Sequence, residues 1–165
     1  IYLGTFSKCI APAIRVSYLV LPTHLLLRYR SQTSFYASTV SRIDQNILYQ
    51  FLAGGYFERH LNRMRAVYKT KHDLLLEQIE PLLERFEIRG EHAGIHILLT
   101  SRQGESEEQL IQKAEEAGVK VYGLSSYFIH PQHNHRPATV VLGYASLSEE
   151  QIVEGIRLLM ECWGA

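Results

Sequence analysis

The sequence has 165 residues, 46% hydrophobic and 21% charged, enough to bury about 70% of its unfolded surface in a globular core. Seventeen basic residues balance seventeen acidic ones, so no charge excess marks a nucleic-acid surface. No apolar run reaches membrane-spanning length and no signal-peptide pattern is present, so a cytoplasmic protein is expected.

Ile1, Tyr2 and Leu3 read as a strand that Gly4 ends, and residues 16–21 as a second buried strand stopped by Pro22. A strand this apolar needs neighbours, and parallel neighbours come with preceding βα units. The sequence therefore reads as the carboxyl-terminal part of a longer protein.

Lys8 lies between these two strands, with Thr5 and Ser7 just before it and Arg15 seven residues after. A buried ammonium is costly and burial lowers its pKa, and a neutral lysine amine is what Schiff-base chemistry uses. Thr5, Ser7 and Arg15 supply two hydroxyls and one fixed cation, a set suited to a phosphate. A lysine for an aldehyde beside donors for a phosphate describes a pyridoxal-phosphate site. By spacing alone the same residues also suit a solvated surface. Cys9 reads as a small packing residue. Free thiols are expected for Cys9 and Cys162, although the sequence leaves a disulfide between them open.

After Pro22, Leu25, Leu26 and Leu27 begin a helical region that the polar residues 31–34 can break. From Phe35 through Leu52, Tyr36, Val40, Ile43, Ile47, Leu48 and Phe51 recur at helical spacing, and Gly54-Gly55 closes the run. Residues 56–86 form the longest periodic stretch, with Pro81 predicting a kink or a new helix. Its basic residues, Arg59, Arg63, Arg65, Lys69 and Lys71, read as a solvated face rather than a nucleic-acid helix. Residues 86–89 and 95–100 read as strands around a turn at 90–94. Ser106 then opens a helix that Gly118 stops, with Glu107 and Glu108 in its first turn. Residues 119–122 and 140–144 read as two further strands. Ser148 with Gln151 forms a capping box for a last helix whose stripe is Ile152, Ile156, Leu159, Met160 and Trp163. Strand, strand, helix, strand, strand, helix describes a small α+β layer.

Other chemistry is sparse. His130, His133 and His135 share one loop with no cysteine or acidic residue to complete a metal set, so a polar loop is expected and no metal. His96, inside a strand-like run, reads as a satisfied core histidine. No Ser-His-acid arrangement, phosphate-loop glycine pattern or zinc spacing is present.

Gly4-Thr5-Phe6-Ser7-Lys8, with Pro12 and Arg15, resembles the lysine segment of fold-type I pyridoxal-phosphate proteins. Within these the sequence is most similar to the aminotransferase-like domain of MocR/GabR-type bacterial transcription regulators. The similarity extends through Gly90, Gly94-Ile95-His96, Tyr122-Gly123-Leu124-Ser125 and the closing pattern Arg136-Pro137-Ala138 to Leu142-Gly143-Tyr144-Ala145, and so covers essentially the whole chain. The resemblance implies an α/β, fold-type I architecture: the end of a cofactor-binding large domain over 1–55, an inter-domain helix over 56–85 and a small α+β domain over 86–165. It implies pyridoxal 5′-phosphate on Lys8, held by Thr5, Ser7 and Arg15, and a homodimer. DNA would be bound only through an amino-terminal winged-helix domain that this sequence lacks. Two departures bear on the ligand. The arginine that grips a substrate carboxylate in many aminotransferases is replaced by Val141, and the one used for GABA is replaced by Ser126, followed by Tyr127. These argue against an ordinary aminotransferase and against GABA as the effector. Ser126, Tyr127 and Arg136 remain candidates for an amino-acid-like or amine effector, and a pyridoxal-phosphate-dependent aminotransferase remains the alternative.

Overall fold

The computed structural model describes residues 1–92, 94–129 and 137–164, which fall into two units, Ile1–Arg65 and Ala66–Ala165. In the first unit, β1 (Tyr2–Thr5) pairs antiparallel with β2 (Ser17–Val20), setting Thr5 opposite Ser17 and Gly4 opposite Tyr18. The expectation of two buried strands is corrected here. Leu3 is 74% exposed and Val20 57%, because the two strands pair only with each other and cover neither face. Three helices follow: α1 (Thr23–Thr33), α2 (Arg42–Ala53) and α3 (Tyr56–Ile79). Leu48 is the one buried apolar side chain among the described residues of this unit.

α2 starts seven residues later than the apolar spacing predicts. Ser38 and Val40 exchange local hydrogen bonds, and Gln45 donates to both the Ser38 hydroxyl and the Val40 carbonyl. Ser41 then caps the helix by accepting from the Asp44 amide at 3.1 Å. Short hydroxyl side chains offer the backbone these alternatives to a helix. Gly55, at φ +69°, makes the left-handed turn into α3. α3 ends at Ile79, and Pro81 falls in a short 3-10 turn, Glu80–Glu84, as a residue without an amide hydrogen requires.

The second unit is built on a sheet of β3 (Phe86–Arg89), β4 (His96–Ser101), β5 (Tyr122–Gly123) and β6 (Thr139–Gly143). Its order is β3-β4-β6-β5, all antiparallel. Ile97 and Leu99 on β4 and Val140 and Leu142 on β6 face a core completed by the end of α3, by α4 (Glu107–Glu116) and by α5 (Glu149–Trp163). Trp163 fills the middle of it, packed on Phe86 with ring centroids 5.0 Å apart and donating from Nε1 to the Leu110 carbonyl at 3.1 Å. Both α4 and α5 begin in full capping boxes, Ser106 with Gln109 and Ser148 with Gln151. The strand expected over 119–122 is confined to Tyr122 and Gly123. Gly118 turns the chain at φ +82° and the Val119 amide donates back to the Ala114 carbonyl, so Val119 is tied to the end of α4 rather than to a strand. His96 is exposed, correcting the core reading. Strand alternation turns Ile97 and Leu99 inward and leaves His96 outside. Cys9 and Cys162 are free thiols. Among the described residues, no helix is long and apolar enough to cross a membrane.

Candidate functional site

Thr5 ends β1 and Ser17 begins β2, so Ser7, Lys8 and Arg15 all lie on the connection between two paired strands. Local bonds shape this connection. The Phe6 amide donates to the Val16 carbonyl at 2.9 Å, and the Ile10 amide to the Phe6 carbonyl at 2.9 Å, wrapping one turn around Lys8. The Thr5 hydroxyl donates to the Val16 carbonyl at 3.3 Å and accepts from the Ser7 amide at 3.2 Å. The Cys9 thiol contacts the Thr5 and Phe6 carbonyls at 3.4 and 3.6 Å, and the ring of Phe6 meets Tyr18 and Phe57. Lys8 itself is exposed and makes no ion pair or side-chain hydrogen bond among the described residues.

Gly4 leaves room for a close approach. A Cβ there would lie 2.2 Å from Cζ of Tyr18, whose ring covers the opposite strand position. The Tyr18 phenol is held above its usual pKa, first by its hydrogen bond with Tyr2. At the far end of the loop a short 3-10 turn, Pro12–Ile14, leads into Arg15, whose φ of +23° is the one positive value at a non-glycine among the described residues. Such backbone costs on the order of 1–2 kcal/mol and persists where surrounding structure imposes it. Arg15 lines a cavity of about 300 Å³ with Thr39, Ser41 and Asp44, at the start of α2.

The donor set suits pyridoxal phosphate: one solvent-accessible primary amine, a hydroxyl on Ser7 and a guanidinium on Arg15, all on one short loop. Thr5 differs from its companions, since its hydroxyl is already engaged in closing that loop.

The second unit holds the expected effector residues. Ser126 and Tyr127 sit in a 3-10 turn, Leu124–Tyr127, directly after β5, with the Ser126 hydroxyl donating to the Gly123 carbonyl at 2.8 Å. Tyr127 is 65% exposed. Arg136 lies outside the described residues, as do His130, His133 and His135. Sequence reasoning missed Glu107, which holds this turn by accepting from the Ser125 amide at 3.1 Å and from the Ser125 hydroxyl. Its only signal was an acidic residue in the first turn of α4. Val141 is buried in β6, opposite Leu98 and Tyr122, so that strand position carries no cation.

No protein-family model matches the chain. Over 164 residues it is 42% identical to the HTH-type transcriptional regulator YdeL of Bacillus subtilis, covering 99% of the chain and 35% of that protein. It is 30% identical over 162 residues to the rhizopine catabolism regulatory protein MocR of Rhizobium meliloti, covering 96% of the chain and 32% of that protein. The chain thus spans about a third of the length of these relatives. Among solved structures, an alpha-aminoadipate aminotransferase from Thermus thermophilus, complexed with N-(5′-phosphopyridoxyl)-L-leucine, superposes with a TM-score of 0.83 at 26% identity. That superposition covers 99% of the chain and 41% of the aminotransferase. In sequence and in fold, the chain belongs to the aminotransferase-like, fold-type I part of the MocR/GabR-type transcription regulators.

Proposed function

We propose that the chain is the effector-sensing and dimerisation part of a bacterial transcription regulator, with pyridoxal 5′-phosphate held on Lys8. The observation that carries this reading is the loop between β1 and β2, which places an exposed lysine amine, the Ser7 hydroxyl and the Arg15 guanidinium on one closed connection. Pyridoxal phosphate, when bound, supplies an aldehyde with which amines condense reversibly. Lys8 offers the chain's own amine to it. Ser7 and Arg15 hold the phosphate, Arg15 through the two parallel N–H donors that a guanidinium presents. Thr5 keeps the loop closed, its one hydroxyl hydrogen given to the Val16 carbonyl, and it reaches the phosphate as a donor only by releasing that carbonyl.

An amino-acid-like or amine effector competes with Lys8 for the aldehyde. Ser126 and Tyr127, on the turn that Glu107 holds, and Arg136 are the residues assigned to effector recognition. The effector switches the regulator only if it binds one conformational state more tightly than the other. Residues 1–55 are taken as the end of the large domain, 56–85 as the inter-domain helix and 86–165 as the small domain. The exposed apolar side chains of Leu3, Val20, Phe35, Ile43 and Ile47 support cover by further protein, including a second copy in a homodimer. DNA contact is assigned to a winged-helix domain outside this chain, and the location to the cytoplasm.

The rival is a pyridoxal-phosphate-dependent aminotransferase. Val141, where a carboxylate-gripping arginine is expected, favours the regulator. The test is Lys8→Ala in the full-length protein. Loss of the cofactor's protein-bound visible absorption, together with loss of ligand-dependent operator binding, is expected. A variant that keeps both sinks the reading, and steady turnover of amino acids with a keto acid acceptor would favour the enzyme.

A further inference from the structure

Lys8 is bracketed by two anchored carbonyls. On one side the Phe6 carbonyl accepts from the Ile10 amide at 2.9 Å. On the other, the Cys9 carbonyl lies 3.0 Å from Nε2 of His60, a half-buried residue in the second turn of α3 and 51 positions away in sequence. A carbonyl only accepts, so Nε2 of His60 carries the hydrogen. The imidazole is itself held by rings: Phe51 lies 6.4 Å from it and 6.3 Å from Phe57, which packs edge-on against Phe6 at 6.1 Å. The lysine loop is therefore tied to α3 through both its backbone and its aromatic side chain.

We propose that His60 is a positioning residue for Lys8, its Nε2–H fixing the Cys9 carbonyl so that the lysine side chain leaves a held backbone. The inference rests on the reading of Lys8 as the cofactor lysine. Its physical content is pre-orientation. A flexible four-carbon side chain on a held backbone searches less volume than one on a loose loop, and small misplacements of a reacting group cost up to about a hundredfold. His60 acts through the backbone carbonyl of Cys9, the neighbour of Lys8, so its loss should weaken condensation at Lys8 and leave phosphate binding alone.

The experiment compares the full-length parent with His60→Leu and His60→Gln, binding pyridoxal phosphate and, separately, pyridoxine phosphate, which has the phosphate and no aldehyde. Borohydride reduction with peptide mapping reports attachment at Lys8. Expected is a labelled Lys8 in the parent and a tenfold or greater loss of pyridoxal-phosphate affinity in His60→Leu. Pyridoxine-phosphate affinity should stay within twofold, and His60→Gln, whose amide still donates, should recover most of the loss. An unchanged pyridoxal-phosphate affinity in His60→Leu overturns the proposal, as does an equal loss for both ligands or a glutamine variant as weak as leucine. If His60→Leu does not fold, His60→Asn, too short to reach the carbonyl, takes its place with the same criteria. A parent that leaves Lys8 unlabelled removes the cofactor reading itself, a separate failure visible before any variant is made.

Discussion

Glu107 on α4 and Ser125 after β5 are joined twice: the Ser125 amide and its hydroxyl both donate to one carboxylate. Gly123 leaves the space that the Glu107 side chain occupies, since a Cβ there would lie 2.2 Å from its carboxylate. Hydrogen bonds to a charged acceptor contribute about 1.5–3 kcal/mol each when well made, and less where water competes. Glu107→Ala should therefore lower the unfolding free energy by about 1–2 kcal/mol. Because it frees the turn carrying Ser126 and Tyr127, it should weaken effector binding more than cofactor binding. Denaturant unfolding and separate titrations of effector and pyridoxal phosphate check this. Equal weakening of both ligands would disconnect the turn from effector recognition.

Arg15 combines a charge suited to a phosphate with a strained backbone, φ +23°. Glycine adopts that conformation at less cost than alanine. Arg15→Gly should be about 1 kcal/mol more stable than Arg15→Ala in denaturant unfolding. Both should bind pyridoxal phosphate at least tenfold more weakly than the parent. Equal stability of the two variants would mean that the strain is relieved in solution. Unchanged affinity would remove Arg15 from the phosphate site.

Trp163 sets the stability of the second unit. It is 1% exposed, packs on Phe86 and donates to the Leu110 carbonyl. Trp163→Ala should cost about 3–5 kcal/mol through the lost burial and the cavity left behind. Trp163→Phe keeps much of the volume but leaves the Leu110 carbonyl without its donor, so about 1–3 kcal/mol is expected. Chemical denaturation of the full-length protein checks both. A phenylalanine variant as unstable as alanine would place the indole hydrogen bond above packing.

Glu105 is enclosed by Arg85, at 3.6 Å, and Lys113, at 3.0 Å, and is only 16% exposed at its side chain. Arg85 also donates to the Gly164 carbonyl. Removing the carboxylate leaves a half-buried guanidinium without its counter-charge. Glu105→Ala should destabilise by about 2 kcal/mol, whereas the Arg85→Met, Glu105→Leu double variant should recover part of that loss. A double variant no more stable than Glu105→Ala would show that the loss does not come from an unpaired guanidinium.

What could be read from the residues alone was local. Ser148 with Gln151 announced a helix start because a capping box is complete within four residues, and the acidic first turn after Ser106 announced another. Pro81 marked the end of α3 for an equally short-range reason, its missing amide hydrogen. Lys8, Ser7 and Arg15 could be proposed together because they lie close in sequence on one connection. The late start of α2 was not, since hydroxyl-to-backbone bonds at Ser38 and Ser41 outcompeted an apolar spacing that suited a longer helix. Burial of β1 and β2 was misjudged because apolar composition says what a strand wants covered, not what covers it. The bonds of His60 to Cys9 and of Glu107 to Ser125 join residues 51 and 18 positions apart, and no sequence signal links them.

The most direct measurement is peptide mapping of the full-length protein after incubation with pyridoxal phosphate and reduction with borohydride. A pyridoxyl group on Lys8, accompanied by loss of the visible absorption band on reduction, is the predicted result. Cofactor bound by the full-length protein with Lys8 unmodified, or no cofactor bound at all, would contradict the assignment of Lys8 as the cofactor lysine.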